Sequence, residues 1–132
     1  MAAEPLTSTE LLEAAKAEVE GISAEDAAAA LEDGETLIVD VREADERARN
    51  GMIPGSVPAP RGRLEFIADP ASPNHRLEFD PSRRLIIHCQ GGRRSVLAAQ
   101  SLKRMGFAKV TYLEGGFAGW QEAGQPVESA SL

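Results

Sequence analysis

The chain has 132 residues, 42% of them hydrophobic and 27% charged, with a formal net charge of −7. That length fits one domain with a real core, and the composition excludes a disordered chain. A single cysteine excludes an internal disulfide, two histidines without a zinc-type spacing leave no metal expected, and an acidic chain with one short basic segment gives no footprint for nucleic acid.

The charge is unevenly spread. Residues 1–50 hold four Lys/Arg against fourteen Asp/Glu, a net of −10, whereas residues 76–104 hold seven against two, a net of +5. The positive segment brackets Cys89, which suits a small anionic ligand. The opening "MAAEPLTSTELLEAAK" has neither a basic region nor an apolar signal core, and no apolar run approaches the roughly 20 residues that cross a bilayer, so a cytoplasmic location and no membrane partner are expected.

In chain order, "TSTELLEAAKAEVE" places Thr7 and Glu10 at capping-box spacing before good helix formers, which predicts a first helix. "SAEDAAAALEDG" repeats the device, with Ser23 as N-cap, Asp26 three residues on and Gly34 as a stop; this helix should end near Glu32. "TLIVDVR" is a short β-branched run bounded by turn residues, a strand buried on both faces whose carboxyl end delivers Asp40 and Arg42. From Gly51 to Pro81 the density of Pro and Gly predicts loop, with short turns around "LEFIA". "RLIIHC" then reads as a second buried strand, "RSVLAAQSLKRMG" as a helix stopped by Gly106, "KVTYL" as a third strand and "GGFAGWQEAG" as a short helix closed by Gly124. A loose tail is expected after Pro126. Helices alternating with apolar strands define an α/β layer fold with a mainly parallel sheet.

Cys89 therefore falls where a buried strand ends and a helix is about to begin. In open α/β sheets this edge is where ligands bind. The start of the helix points unpaired N–H groups and the positive end of its dipole at the loop, and Gly91 and Gly92 let the backbone curl so that several amides converge. Beside Arg93 and Arg94, a thiol there is expected to be ionised, open to solvent and nucleophilic. A lone cysteine at a strand end is otherwise a small core hydrophobe. His88 points to the opposite face of the strand, as a packing residue.

Four stretches resemble the single-domain rhodanese family of sulfurtransferases: "LIVDVRE" at 37–43, "GMIPGSVPAPRG" at 51–62, "LIIHCQGGRRS" at 85–95 and "VTYLEGGFAGWQEAGQPVE" at 110–128. The resemblance spans about residues 20–128 and leaves 1–19 as an extra N-terminal helical extension and 129–132 as a mobile tail. It implies a small, mainly parallel five-stranded sheet flanked by helices. It further implies that Cys89 accepts a sulfane sulfur from a donor such as thiosulfate, becomes a persulfide and passes the sulfur to cyanide or a thiol, with no cofactor. Gln90, Gly91, Gly92, Arg93, Arg94 and Ser95 match the stretch that cradles the sulfur, Arg61 matches a donor-binding arginine, and Asp40 and Arg42 match a supporting pair. Arg63 is as readily solvated as bound. Met52 departs from the histidine common in the family's "GHIPGA" motif. The extension could cap the sheet or mediate self-association.

Two alternatives stand beside this reading. "HC" followed by Gly and "RS" superficially resembles the cysteine phosphatase signature, as in phosphatases and arsenate reductases, but Ser95 is the sixth residue after Cys89 and the arginines fall early, so the loop is short for an oxyanion. A carrier module relaying sulfur to or from a protein partner would use the same cysteine. Phe117 and Trp120, at helical spacing, are expected in the core, and Gly115–Gly116 in a tight turn.

Overall fold

The three aliphatic runs build the middle of the molecule. A computed structural model describes residues 4–130 and shows them as β2 (Leu37–Asp40), β4 (Leu85–His88) and β5 (Val110–Leu113). Every residue of β2 and β4 is buried, as an apolar strand covered on both faces requires. Two short strands that the sequence did not reveal complete the sheet: β1 (Glu20–Ile22) and β3 (Val57–Pro58). All pairings are parallel and the order is β1-β5-β4-β2-β3, so β4 is central. Pro58 is tolerated because β3 is an edge strand.

Among the described residues six α-helices flank this sheet: α1 (Ser8–Lys16), α2 (Ala24–Leu31), α3 (Ala44–Asn50), α4 (Leu64–Ala68), α5 (Arg93–Arg104) and α6 (Gly116–Glu122). None is long and apolar enough to cross a membrane. The strand alternation divides the core. Leu37, Val39, Leu85 and Ile87 meet Ala15 of α1, Leu64 of α4 and Ala98 and Leu102 of α5 on one face. Ile38, Ile86 and Leu113 meet Ala27 of α2 and Phe117 and Trp120 of α6 on the other.

The caps behave as their residues dictate. Thr7 and Glu10 exchange hydrogen bonds, the Glu10 amide donating to Thr7 Oγ1 at 3.1 Å and the Thr7 amide to Glu10 Oε1 at 3.0 Å. Ser23 Oγ accepts from the Asp26 amide at 3.1 Å, and α2 closes at Glu32. α1 is not a detached extension: Ala15 and Val19 are buried, and Glu18 accepts from Gln100 and Lys103 of α5.

Two expectations need revision, and one helix was not expected. "LEFIA" is a five-residue helix, not a set of turns, because Leu64, Ile67 and Ala68 share one buried face after the 3-10 turn Arg61–Arg63. α3 was missed because "ADERARN" buries no residue and so has no apolar stripe to read. The chain also remains held beyond Pro126: Met52 and Glu128 exchange both backbone hydrogen bonds (2.8 and 2.9 Å), and Trp120 Nε1 donates to the Pro126 carbonyl at 2.7 Å. Met52 acts there through its main chain. The last two residues of the expected mobile tail lie outside the described residues.

Candidate active site

Cys89 directly follows β4, and α5 starts at Arg93, so only the loop 90–92 separates the thiol from the helix. Two glycines shape the turn. Gly92 has φ +107°, open to glycine, and its amide donates to Cys89 Sγ at 3.1 Å. Gly116, at the start of α6, has φ +60°, and a Cβ there would sit 2.6 Å from the carbonyl oxygens of both Cys89 and Gln90. Its bareness lets α6 dock on the loop, where the Phe117 amide donates to the Cys89 carbonyl (2.8 Å) and the Ala118 amide to the Gln90 carbonyl (3.2 Å). The loop's carbonyls are thus engaged on the α6 side while the Gly92 amide faces sulfur. Ser95 Oγ lies 3.5 Å from Sγ and donates to the Gly92 carbonyl at 3.2 Å. The Gly92 amide and the positive end of a 12-residue helix favour negative charge at this point, whereas the Ser95 hydroxyl, its proton given to the Gly92 carbonyl, accepts from the Cys89 thiol.

The sulfur is not open to solvent in the way expected. Cys89 is 1% exposed and belongs to the core cluster on the α5 face. α1, which lies against α5, supplies the cover that the sequence did not reveal. Cys89 reaches the outside through a half-open recess of about 360 Å³, whose walls are Ser8, Leu11 and Leu12 of α1, Gly91 of the loop, and Arg93, Arg94 and Leu97 of α5. A larger cleft of about 980 Å³ lies at the amino ends of β2, β4 and β5, lined by Thr36, Arg84, Lys109 and other charged neighbours. It contains no thiol, so the smaller recess is the candidate site.

The arginines divide. Arg94, expected at the sulfur, instead clasps Glu46 of α3 with both terminal nitrogens (2.6 and 2.8 Å). Its hydrogen bonds hold the Glu46 carboxyl down to about 2, and pairing with Glu46 raises the Arg94 guanidinium in turn. Arg94 remains in the recess wall with its charge largely answered. Arg93 is exposed at the same wall and has no ion-pair partner among the described residues. Arg61 is not brought to the recess: it pairs with Glu65 at 2.9 Å, and Glu65 also accepts from Ser101. Arg63 is exposed beside it.

Behind the loop, Asp40 and Arg42 are both fully buried. Arg42 donates to both Asp40 carboxylate oxygens (2.8 and 3.0 Å), to the Gly51 carbonyl (2.9 Å) and to Gln90 Oε1 (3.0 Å), with its guanidinium 4.3 Å from the Phe117 ring centre. Gln90 is thereby turned toward β2 and α3, where Asn50 also reaches its Oε1 at 3.4 Å. The pair holds the loop and does not touch the sulfur. Burial alone would raise the Asp40 carboxyl, but the hydrogen bonds from Arg42 outweigh it and leave it below its ordinary value. His88 lies across the strand from Cys89, stacked on Phe117, with Nε2 3.7 Å from Asp40 Oδ2. Burial pushes its imidazole down to about 4, so it is neutral packing at pH 7.

Of the residues singled out in the sequence, Cys89, Gly91, Arg93 and Arg94 line the recess, Gly92 and Ser95 contact the sulfur, and Gln90, Asp40 and Arg42 support the loop. Glu46, Asn50, Gly116 and the α1 leucines were missed. Only Gly116 left a signal, as half of an adjacent glycine pair.

Comparison with known proteins agrees with this geometry. A family model described as "Rhodanese-like domain" matches residues 23–123. A sulfurtransferase of Allochromatium vinosum is 32% identical over 93 residues, 70% of this chain and 78% of that protein; a putative sulfur carrier protein of Bacillus subtilis and a thiosulfate sulfurtransferase of Actinobacillus pleuropneumoniae are matched over 40% and 49% of their own lengths. Among solved structures, a Rhodopseudomonas palustris protein of unknown function described as a possible tyrosine phosphatase superposes with a TM-score of 0.89 at 37% identity, over 97% of this chain and 98% of that one. The polysulfide-sulfur transferase homodimer of Wolinella succinogenes gives 0.75 at 29% identity, over 92% and 86%. With a parallel five-stranded sheet, a strand-to-helix cysteine loop and a family match over most of its length, this chain belongs to the rhodanese-like domain family.

Proposed function

We propose that the protein is a sulfurtransferase whose Cys89 carries sulfane sulfur as a persulfide between a small anionic donor, such as thiosulfate, and a thiol or cyanide acceptor. In the first half-reaction the Cys89 thiolate attacks the outer sulfur of thiosulfate, a sulfur–sulfur bond forms, and sulfite departs with the electron pair. In the second, the acceptor attacks the outer sulfur of the persulfide and the Cys89 thiolate leaves. Negative charge stays on sulfur throughout, so preorganised donors lower both barriers without a separate base. The observation that carries this reading is the Gly92 amide 3.1 Å from Sγ at the head of α5. A relay to or from a protein partner would use the same intermediate, and a reduced lone thiol suits a cytoplasmic setting.

A phosphatase reading is disfavoured on two grounds. Only four residues separate Cys89 from Arg94, and Arg94 is already clasped by Glu46. The test is mass spectrometry of the intact protein after exposure to thiosulfate, glutathione persulfide and a cysteine desulfurase in parallel. One added sulfur on the Cys89 peptide is expected with at least one donor, together with loss of transfer in Cys89→Ser at unchanged fold. Comparable transfer by Cys89→Ser, or hydrolysis of a phosphate ester without any sulfur uptake, would overturn the reading.

A further inference from the structure

We propose that α1 is a specificity element of the Cys89 recess: Leu11 and Leu12, facing Leu97 of α5, select sulfane-sulfur donors that carry an apolar organic body over bare inorganic thiosulfate. The inference rests on Cys89 being the sulfur-accepting residue and names the substrate class for that same site.

Three observations carry it. α1 lies outside the family match, which begins at residue 23, and it forms one side of the recess that leads to Cys89. Its attachment is uneven: Ala15, Val19 and Glu18 fix its carboxyl end to the body and to α5, while Leu11 is left 47% exposed at the mouth. The recess is also larger than a small oxyanion needs. A five-atom thiosulfate ion fills on the order of 100 Å³ at about 30 Å³ per water-sized group, against about 360 Å³ of recess.

Leucine walls give an inorganic dianion nothing and cost it hydration, whereas they cover an alkyl or aryl group and remove that surface from water. Arg93, exposed at the same wall, adds a cation for the donor's sulfonyl or carboxylate oxygens. A donor that satisfies both is an organic thiosulfonate or persulfide, R–SO2–S⁻ or R–S–S⁻. With the former, the Cys89 thiolate attacks the terminal sulfur, the S–S bond to Cys89 forms, the S–SO2R bond breaks, and the electron pair leaves on the sulfinate. Two anions enter, two remain, and no oxidant or reductant is required.

The experiment compares kcat/KM for benzenethiosulfonate and methanethiosulfonate in the full-length wild type, Leu11→Ser and Ser8→Trp. Taking each variant's phenyl-to-methyl ratio relative to wild type cancels the intrinsic reactivity of the two donors. Leu11→Ser should lower the ratio about tenfold, the effect of a few buried CH2 groups on discrimination, and Ser8→Trp should lower it further by filling the mouth. Circular dichroism and melting curves establish that both variants remain folded; Leu11 is half-exposed and Ser8 is on the surface, so neither removes core. A ratio unchanged in both variants would overturn the role of α1. Absence of sulfur on Cys89 with every donor would instead overturn the underlying assignment of the nucleophile.

Discussion

Replacing Arg42 by methionine tests whether the buried Asp40–Arg42 pair is a structural charge pair or mere packing. The guanidinium is fully buried and answers Asp40 with bonds of 2.8 and 3.0 Å. Removing it strands a carboxylate in the core, which costs about 3–5 kcal/mol at pH 7, more than the loss of apolar contact with Phe117 could explain. The pH dependence separates the causes. In the wild type His88 titrates near 4 when folded and near 6.5 when unfolded, so below pH 6.5 the unfolded chain takes a proton that the folded one refuses. Stability is therefore full above 6.5 and declines as pH falls toward 4, by up to about 1.4 kcal/mol per pH unit. In Arg42→Met the stranded Asp40 with His88 3.7 Å away accepts that proton in the folded state, and the decline disappears. The gap between variant and wild type should thus narrow by about 1–2 kcal/mol between pH 7 and pH 5. Urea unfolding at the two pH values measures it, and Asp40→Asn combined with Arg42→Met should recover part of the loss. Parallel stability curves, or a total cost under about 1 kcal/mol, would refute the charge-pair explanation.

Other outcomes follow from the same geometry. Glu46→Gln breaks the clasp on Arg94; with Arg94 40% exposed, solvent screening limits the loss to about 1 kcal/mol at pH 7. Because the folded Glu46 carboxyl sits at about 2, below its ordinary value of 4.5, that contribution is present in full above 4.5, declines below it and is lost only as pH falls through about 2, so urea midpoints of variant and wild type should draw together from pH 4.5 downward and meet near pH 2. Gly116→Ala should cost more than about 3 kcal/mol and lower the persulfide yield, since its Cβ meets two backbone oxygens at 2.6 Å. Gly55→Ala, at φ +80° with open space around it, should cost only about 1 kcal/mol in the same melting assay. Arg93→Ala should raise KM for thiosulfate roughly tenfold with kcat nearly unchanged, as expected for a charge-assisted contact made equally in ground and transition states; equal KM values would remove Arg93 from donor binding.

Local signals explain what was legible beforehand. The caps at Thr7 and Ser23, the aliphatic runs at Leu37–Val39 and Leu85–Ile87 and the glycine-rich turn after Cys89 each act over a few neighbouring residues, so their sequence announces them. β1 and β3 are too short for any alternation to show, and α3 is charged throughout. The strand-to-helix position of Cys89 was readable and the surroundings of its sulfur were not. Arg94 and Glu46 lie 48 residues apart, so nothing near Arg94 indicates that its charge is already answered. Likewise, the cover over Cys89 comes from Leu11 and Leu12, whose helical spacing reveals amphipathicity but not which neighbour they shelter.

The central position of β4 bears on how the molecule breathes. Its two edges are bonded to β2 and β5, so Ile86 and Ile87 can release their amide hydrogens to exchange only in the rarest, near-global openings. Marginal pieces such as the two-residue β3 and the wholly surface-lying α3 open far more often and independently. A sulfur atom fastened to the last strand to let go keeps its address through every lesser fluctuation, and whatever approaches it can be accommodated by motion at the periphery.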